Sequence, residues 1–382
     1  MLTIIADENI PFVREAFSGL GEVQTFSGRR LNRAVLEKAE VLLVRSVTKV
    51  DEQLLAGTAI RFVGTATIGL DHIDLTYLHQ HNIGFASAPG SNATSAAEYV
   101  LSALLIIAER QDFILRDKVV GIIGCGNVGS GVLQKLTALG VECIVHDPPL
   151  QEQTTSLRYS DLNTVLTADI VTLHVPLTKT GPHPTYHLIN AELLAKLRKD
   201  VILVNTSRGA VVAEADLLET LAVYPTMTVG LDVWENEPEI NIQLLQRVAL
   251  GTPHIAGYSF DGKVRGTEML YQAVCDYFQY SPHWQAQDYL PVPPLKRLTF
   301  STTVDDNIAV HTAVTACYDV RHDDAALRRL SKTSDLATSF DNLRKNYPQR
   351  REFSQVEIEL PATKSILAAQ LQGLGFKIII TP

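Results

Sequence analysis

Residues 119–129 read VVGIIGCGNVG, an apolar run that leads directly into three glycines spaced as G-x-G-x-x-G. The apolar run is typical of a buried strand, and the residues after the glycines are typical of a helix. In this setting Gly124 permits a tight turn, Gly126 lets the backbone approach a pyrophosphate, and Gly129 lets helix and strand pack closely. The helix N-terminus then offers unpaired N–H groups to the phosphates. The stretch therefore predicts a dinucleotide-binding βαβ unit.

An acidic residue follows these glycines at the end of the next predicted strand. Asp147 lies 18 residues after Gly129, where a carboxylate can accept hydrogen bonds from the adenosine ribose hydroxyls. A carboxylate there would repel a 2′-phosphate, and the next basic residue is Arg158. These features favour NAD over NADP. The alternative is that Asp147 only begins the turn at Pro148.

Short β-branched runs alternate with amphipathic segments on both sides of the glycines. Before them, strands are predicted at 2–6, 22–26, 41–45, 61–65 and 84–87, with helices at 12–20, 33–39 and 75–81. A long helix is predicted from 92 or 94 to about 110. From there on, strands are predicted at 119–123, 142–146, 170–174, 201–205, 228–231 and 248–250. This alternation predicts an α/β fold with two doubly wound, parallel-sheet (Rossmann-like) domains.

The C-terminal quarter has a different character. Four prolines between 282 and 294 are typical of a linker. A helix is predicted over 306–316, and 356–360, 365–374 and 376–380 read as strand, helix and strand, which indicates a small α+β domain. The predicted domains are 1–95 (substrate-binding, completed by about 259–283), 96–258 (NAD-binding) and 284–382 (dimerisation). A regulatory module that binds an amino acid is the alternative for the last domain.

Composition excludes several classes of protein. The chain is 46% hydrophobic and 20% charged, with a net charge of −9, which argues against a nucleic-acid partner or an anionic membrane. The apolar run at 99–108 is too short to span a bilayer. The N-terminus lacks the basic segment of a signal peptide, and four cysteines without a C-x-x-C pair indicate a reduced, cytoplasmic protein. No metal site is predicted, since Pro182 and Pro184 rule out the regular helix that would bring His183 and His187 together.

After three later predicted strands, the apolar run gives way to a polar stretch. These stretches contain Arg208, Glu237 and His254. The carboxyl ends of parallel strands form one crevice, so we expect the three side chains to lie close together. A guanidinium can hold a carboxylate by two hydrogen bonds, and a histidine can take a hydroxyl proton. A carboxylate behind the histidine orients it. Each residue alone could be structural, but together they predict a catalytic trio that oxidises a 2-hydroxy acid.

These motifs resemble one enzyme family. Arginine, glutamate and histidine occur in this order, at this type of strand end, in the D-isomer-specific 2-hydroxyacid dehydrogenases. A further set of stretches resembles the branch that acts on 4-phospho-D-erythronate: 44–49 (VRSVTK), 63–72 (VGTATIGLDH), 251–258 (GTPHIAGY), 319–321 (DVR) and 343–347 (LRKNY). The resemblance covers nearly the whole chain.

The resemblance implies NAD-dependent oxidation of 4-phospho-D-erythronate at C2, a step in pyridoxal 5′-phosphate biosynthesis, by a cytoplasmic homodimer. It implies that Ser46, Thr67 and Tyr258 contact the substrate. The positions that match cofactor-contacting residues are Gly124, Gly126, Asn127, Val128, Gly129, Asp147, Val175, Thr206, Ser207, Arg208, Asp232 and Gly257. Val175 stands where a threonine is expected, so a backbone contact to NAD would survive there but a hydroxyl contact would not.

Some alternatives stay open. The chain could be a related dehydrogenase of the phosphoglycerate or glyoxylate type, or a non-catalytic NAD(H)-sensing protein on the same scaffold. The residues that bind the substrate phosphate are also open. Arg45, Lys263 and Arg265 flank the segments expected to line the substrate cleft, so we expect at least one of them to contact the phosphate.

Overall fold

The computed structural model describes residues 1–154, 159–330 and 335–382, so Arg158 lies outside the described residues. The chain forms two compact units. The first comprises Met1–Asn92 and Ser259–Val292, and the second comprises Ala93–Tyr258 and Pro293–Pro382. The structure thus groups the C-terminal residues with the predicted NAD-binding region.

The elements are numbered in chain order. The strands are β1 (Leu2–Asp7), β2 (Gly21–Phe26), β3 (Val41–Val44), β4 (Phe62–Thr65), β5 (Gly84–Ser87), β6 (Val119–Ile123), β7 (Glu142–His146), β8 (Ile170–Leu173), β9 (Ile202–Asn205), β10 (Thr228–Leu231), β11 (Leu250–Gly251), β12 (Arg297–Thr299), β13 (Glu357–Pro361) and β14 (Lys377–Thr381). The helices are α1 (Val13–Phe17), α2 (Glu52–Leu55), α3 (Leu75–Gln80), α4 (Ala93–Gln111), α5 (Asn127–Ala138), α6 (Pro148–Gln151), α7 (Leu162–Val165), α8 (Ala191–Lys196), α9 (Glu214–Val223), α10 (Ile242–Arg247), α11 (Phe260–Phe278), α12 (Asp306–Cys317), α13 (Val320–Arg329), α14 (Leu336–Lys345) and α15 (Ser365–Leu374).

The first unit is built on a five-stranded parallel sheet in the order β2-β1-β3-β4-β5. All four residues of β3 are buried, as expected for a parallel strand covered on both faces. Helix α11 begins where the Ser259 hydroxyl accepts a hydrogen bond from Gly262 N. Its residues Leu270 and Val274 join the core formed by β1 and β3. The helix predicted over 33–39 is wrong in type, since Arg33–Leu36 form a single 3-10 turn without a side-chain cap.

The second unit contains a six-stranded parallel sheet in the order β11-β10-β9-β8-β6-β7. From β6 the chain adds β7 on one side and then β8 on the other. Ligands bind at the carboxyl ends of strands where the strand order reverses in this way. The predicted α/β fold class, with Rossmann-like sheets, is therefore confirmed, and its geometry places the candidate site beyond β6 and β8.

The C-terminal segment, residues 293–382, forms a small three-stranded parallel sheet in the order β12-β13-β14. Helices α13 and α14 were not predicted from the sequence. The segment shares a hydrophobic core with the Rossmann-like part, since Leu367 and Leu371 of α15 belong to the same buried cluster as Val132 and Leu136 of α5. It therefore folds against the NAD-binding region, and its role in dimerisation stays a prediction.

Candidate active site

The glycine turn after β6 has the shape that a dinucleotide requires. Gly124 has a φ of 87°, and an added Cβ would lie 2.8 Å from the backbone carbonyl of His174. At Gly129 a Cβ would lie 2.0 Å from Gly124 O, which shows how closely helix α5 packs on the turn. Gly126, in contrast, has nothing within 4 Å of an added Cβ. The turn is thus crowded on the protein side and open at the glycine that a pyrophosphate would approach.

The residues around this turn fit NAD. Asn127 and Val128 form the start of α5 and are exposed and half-buried, respectively, so the helix N-terminus is accessible to phosphates. Asp147 accepts hydrogen bonds from Cys125 N at 2.7 Å and from Leu150 N at 3.0 Å. Asp147 therefore caps α6, in keeping with the alternative that it begins the turn at Pro148, and it also holds the glycine turn through Cys125 N. A carboxylate has further lone pairs, so ribose binding by Asp147 stays a prediction.

A neutral histidine lies beside the glycine turn at the end of β8. His174 hydrogen-bonds Thr172 Oγ1 at 2.9 Å and Thr206 Oγ1 at 3.2 Å. Burial lowers the pKa of His174 to about 3, so the ring carries no charge at neutral pH. Val175 follows it, half-buried, and its Cγ1 lies 2.8 Å from the position of a Cβ on Gly124. The predicted cofactor residues Val175 and Thr206 therefore lie next to the glycine turn.

An asparagine shapes the turn that carries Arg208. The buried Asn205 accepts hydrogen bonds through Oδ1 from Ser207 N at 3.0 Å and Ser207 Oγ at 2.7 Å, and its Nδ2 donates to Arg208 O at 3.0 Å. The Arg208 guanidinium donates to Ser207 O at 2.8 Å. Asn205 was not predicted as a site residue, although its place at the end of a buried strand was the available signal.

Gly209 brings the Arg208 turn against the loop that leads to Glu237. An added Cβ at Gly209 would lie 1.9 Å from the carbonyl carbon of Trp234 and 2.3 Å from Glu235 N. Only a residue without a side chain permits this approach of two backbones. The position of Arg208 relative to Glu237 is therefore fixed by main-chain contact, a role for Gly209 that sequence analysis missed.

Glu237 and His254 form a direct pair. His254 Nδ1 lies 2.7 Å from Glu237 Oε2, and Glu237 Oε1 accepts a hydrogen bond from Trp234 N at 2.9 Å. Burial by itself would raise the pKa of Glu237, but the charge and the hydrogen bond of His254 outweigh burial and lower that pKa below its usual value. Glu237 is thus ionised and orients the histidine, which leaves His254 Nε2 for proton transfer.

Asp232 holds the segment that carries His254, which we call the His254 loop (residues 251–258). Its buried carboxylate accepts hydrogen bonds from Thr252 Oγ1 at 2.6 Å, Ile255 N at 2.8 Å and Ala256 N at 2.9 Å. The carbonyl of Asp232 also accepts one from His254 N at 2.7 Å. These bonds stabilise the left-handed backbone of His254, whose φ is 56°. The structure shows Asp232 supporting the loop that carries His254, and its predicted contact with the cofactor stays a prediction.

The C-terminal segment also contacts the His254 loop. Asp324 accepts a hydrogen bond from Gly251 N at 2.8 Å, and Arg350 donates to Ala256 O at 3.1 Å. The Tyr347 ring packs edge-on against Tyr258 with 5.7 Å between centroids. Gly257, a predicted cofactor residue, lies half-buried between these contacts. Sequence analysis missed Asp324 and Arg350, because no local pattern links them to a loop 70 to 95 residues away.

The first unit contains the other two predicted substrate residues. Ser46 is exposed in the turn after β3. Thr67 lies after β4, where its Oγ1 is 2.8 Å from Thr65 Oγ1. Thr65 Oγ1 in turn is 2.9 Å from His72 Nε2. Both residues follow carboxyl ends of neighbouring parallel strands, and their contact with substrate stays a prediction.

Two family descriptions match parts of the chain. Residues 107–256 match the family described as "D-isomer specific 2-hydroxyacid dehydrogenase, NAD binding domain". Residues 289–375 match a family described only as "Domain of unknown function (DUF3410)". The first match covers the glycine turn, Arg208, Glu237 and His254, and the second covers most of the C-terminal segment.

Relatives extend this match to the full chain. Erythronate-4-phosphate dehydrogenase of Hahella chejuensis is 46% identical over 379 residues, which cover 99% of both chains. The chain belongs to the erythronate-4-phosphate dehydrogenase family. The enzyme of the same name from Marinobacter nauticus is also 46% identical, with 99% of this chain and 100% of the relative covered. Members of this family are NAD-dependent oxidoreductases of the D-2-hydroxyacid type, and so is this chain.

Solved structures of more distant enzymes share the fold. The NAD-bound 3-phosphoglycerate dehydrogenase of Entamoeba histolytica has a TM-score of 0.62 and 26% identity, covering 73% of this chain and 95% of that one. D-lactate dehydrogenase of Aquifex aeolicus, complexed with NAD and lactic acid, has a TM-score of 0.61 and 26% identity, covering 72% and 96%. Together with the match to an NAD-binding family, these NAD-bound structures support NAD as the cofactor of this chain, as predicted from Asp147.

The two histidines once considered as a metal-binding pair form separate ion pairs. His187 Nε2 lies 2.6 Å from Glu235, and His183 Nε2 lies 3.0 Å from Glu152, so each histidine pairs with a separate carboxylate. Within the described residues, no three histidine, cysteine or acidic side chains gather as metal ligands would. Nor does any described helix combine the length and apolar character needed to cross a bilayer.

Proposed function

We propose that the chain oxidises 4-phospho-D-erythronate at C2 to (R)-3-hydroxy-2-oxo-4-phosphobutanoate, a step in pyridoxal 5′-phosphate biosynthesis. The observation that carries this proposal is the 2.7 Å pair of Glu237 and His254, held next to the Arg208 turn by the close approach at Gly209. Full-length identity of 46% to relatives named erythronate-4-phosphate dehydrogenase supports the choice of substrate.

His254 is the base that accepts the proton of the substrate C2 hydroxyl. Its Nδ1 is engaged with Glu237, so Nε2 takes the proton, and the ionised carboxylate stabilises the resulting imidazolium. The hydrogen bonds from the His254 loop to Asp232 keep the ring in place. When bound, NAD supplies the acceptor for the hydride that leaves C2.

Arg208 binds the C1 carboxylate of the substrate and so places C2 beside His254. A guanidinium presents paired N–H donors in a plane, which matches the two oxygens of a carboxylate. Arg208 and Ser207 also match cofactor-contacting positions of the family pattern, together with Thr206 and Gly257. Tyr258, four residues after His254, is proposed to contact the substrate, as are Ser46 and Thr67 of the first unit.

NAD is held by the glycine turn. The open space at Gly126 accepts the pyrophosphate, the first turn of α5 at Asn127 and Val128 donates N–H groups, and Asp147 binds the ribose hydroxyls. Val175 contributes its backbone and not a hydroxyl. The neutral His174 adds no charge to this side of the pocket.

We also propose that the protein is a cytoplasmic homodimer. All four cysteines are free thiols, which fits a reducing compartment. The C-terminal segment exposes Ile308 (62%), Ile366 (72%) and Ile380 (52%), and β14 is an edge strand. Apolar side chains and an open strand edge are features that a two-fold partner would cover.

The dimer is tested by sedimentation of the full chain and of Ile366→Asp. Truncation near residue 290 would be a poor test, because residues of 309–376 belong to the same core as 96–145. We expect the wild-type chain to sediment at twice its own mass and the variant to dissociate at lower concentration. A wild-type monomer at micromolar concentration would refute the proposal.

The reaction is tested by following NADH formation with purified enzyme and NAD. We expect turnover of 4-phospho-D-erythronate to exceed that of D-3-phosphoglycerate, D-glycerate and D-lactate by at least about tenfold in kcat/KM, and to vanish in His254→Ala. Preference for D-3-phosphoglycerate would instead assign the chain to the phosphoglycerate type. NADH binding without turnover of any of these acids would indicate a sensing protein.

A further inference from the structure

A half-buried arginine of the C-terminal segment, Arg344, lies beside the His254 loop and has no role in the mechanism above. Arg344, near the end of α14, places its guanidinium carbon 5.8 Å from the centre of the Tyr258 ring. Its Nε is shielded from solvent and has no hydrogen-bond partner among the described residues. An anion would satisfy this unused donor, because charged N–H groups form strong hydrogen bonds with phosphate oxygens.

The surroundings keep Arg344 charged. Burial opposes the charge, but the neighbouring Tyr258 and Glu237, a hydrogen bond to Tyr258 and the nearby Asp341 outweigh burial and raise the pKa of Arg344. Glu237 is already paired with His254 at 2.7 Å, so its charge is shared between two partners. Arg344 is therefore a permanent positive charge held at the edge of the catalytic pair.

Arg350 is a second arginine at this loop, and it is buried. Its Nε also lacks a hydrogen-bond partner among the described residues, but its terminal nitrogens are engaged with the protein. Its Nη1 donates to Ala256 O at 3.1 Å, its Nη2 donates to Ser95 O at 2.6 Å, and its guanidinium stacks 3.6 Å from the Tyr318 ring centre. Both terminal nitrogens of Arg350 thus donate hydrogen bonds to backbone carbonyls, and these bonds hold the loop. Arg344 instead contacts a side chain, Tyr258, that is itself a predicted substrate contact.

The substrate has two anionic ends, and Arg208 can hold only one of them. A phosphate at C4 carries between one and two negative charges at neutral pH, and this end needs its own cation. We propose that Arg344, together with the Tyr258 hydroxyl, binds the phosphate of the substrate. This inference rests on the proposed function and names the residue that makes the site specific for a phosphorylated acid.

Phosphate binding by Arg344 would give the C-terminal segment a part in substrate recognition. The segment would supply a substrate-binding side chain through α14, in addition to positioning the His254 loop through Asp324 and Arg350. The region described as a domain of unknown function would then determine substrate specificity.

The test compares two substrates in three variants. Arg344→Gln removes the charge, Arg344→Lys keeps it, and Lys345→Gln removes an exposed charge next along the same helix. Each enzyme is assayed with 4-phospho-D-erythronate and with D-erythronate at saturating NAD. A hydrogen bond to a charged group corresponds to a change of about 10- to 150-fold. We expect Arg344→Gln to lower kcat/KM by about this factor for the phosphorylated acid, mainly through KM.

The same variant should change kcat/KM for D-erythronate by less than about threefold. Arg344→Lys should recover part of the loss, and Lys345→Gln should resemble the wild type. Inorganic phosphate should inhibit the wild type competitively and Arg344→Gln at least about tenfold more weakly. Thermal unfolding of each variant within a few degrees of wild type shows that the fold is intact.

Two results would overturn the inference. An equal loss with both substrates, carried by kcat and accompanied by a shifted pH profile, would make Arg344 a residue that positions Glu237 and His254. An unchanged inhibition constant for inorganic phosphate in Arg344→Gln would exclude phosphate binding directly. Failure of the wild type to oxidise 4-phospho-D-erythronate would refute the proposed function separately, and the phosphate inhibition of whichever acid is oxidised would still decide the role of Arg344.

Discussion

Replacing Gly209 by alanine would separate the turn that carries Arg208 from the loop that leads to Glu237. The added Cβ would lie 1.9 Å from the Trp234 carbonyl carbon, where an ordinary contact needs 3.4 Å or more. The atoms in the way are backbone, so they cannot rotate aside as a side chain could. The Arg208 turn and the loop leading to Glu237 must therefore move apart by about 1.5 Å.

This displacement sets the size of the expected effect. A misplacement of about 1 Å between reacting groups can lower a rate by about 10²-fold, and overpacking typically costs about 1–3 kcal/mol of stability. We expect Gly209→Ala to lower kcat/KM by about 10²-fold or more while NAD still binds at the glycine turn. Steady-state kinetics, NADH fluorescence titration and urea unfolding measure the three quantities.

Gly230→Ala is the matched control. Gly230 lies in β10 of the same sheet, and its added Cβ would meet only ordinary contacts, 3.8 Å from Val204 and 4.0 Å from Leu250. We expect this variant to keep wild-type turnover. If Gly209→Ala also retained kcat/KM within about threefold of wild type, the close approach of the two backbones would not position Arg208, and the reasoning would be refuted.

Three further predictions concern single side chains. His254→Ala should lower kcat by about 10²–10⁴-fold with NAD affinity retained, and wild-type turnover at neutral pH would remove His254 from the mechanism. Arg208→Lys should lower kcat/KM by at least about tenfold despite the retained charge, because an ammonium cannot make the paired contact to a carboxylate; near-normal kcat/KM would mean that another residue holds the carboxylate. His174 has a pKa of about 3 in the folded chain and about 6.5 when unfolded. Between these pH values the unfolded chain binds more protons than the folded chain. The free energy of unfolding therefore decreases as pH falls below about 6.5. Between pH 6.5 and pH 5 this loss is about 2 kcal/mol, and urea unfolding should show a smaller loss in His174→Gln; an equal loss in both would contradict the assignment.

Much of the fold could be predicted because its signals are local. Strands such as Val119–Ile123 and Glu142–His146 were predicted with their observed bounds. The first is buried over its last four residues, and a parallel strand covered on both faces is a continuous apolar run. Helices α13 and α14 were not predicted. Each has ten residues, most of them polar or charged, and each buries a large apolar side chain, Leu327 or Phe340, in the core of the second unit. Helices this short depend on such packing for their stability.

For the site, too, features with local sequence signals were predicted and features that depend on packing were not. The pairing of Glu237 with His254 was anticipated, because both residues lie in loops that follow neighbouring strands of one parallel sheet, β10 and β11. The supporting residues were not. Gly209 and Asn205 act through backbone positions, and a sequence does not show which two backbones approach each other.

The sequence by itself determined the chemistry of this protein: the glycine turn, the acid that favours NAD, and the order of arginine, glutamate and histidine all lie within short stretches. Only the tertiary structure decided what holds that chemistry in place. Asp324 and Arg350 bind a loop that lies 73 and 94 residues earlier in the chain, and Arg344 reaches Tyr258 in the same way. Such contacts depend on how α13, α14 and the residues after them pack. Packing is a property of the whole folded unit, and therefore no spacing in the sequence encodes these contacts.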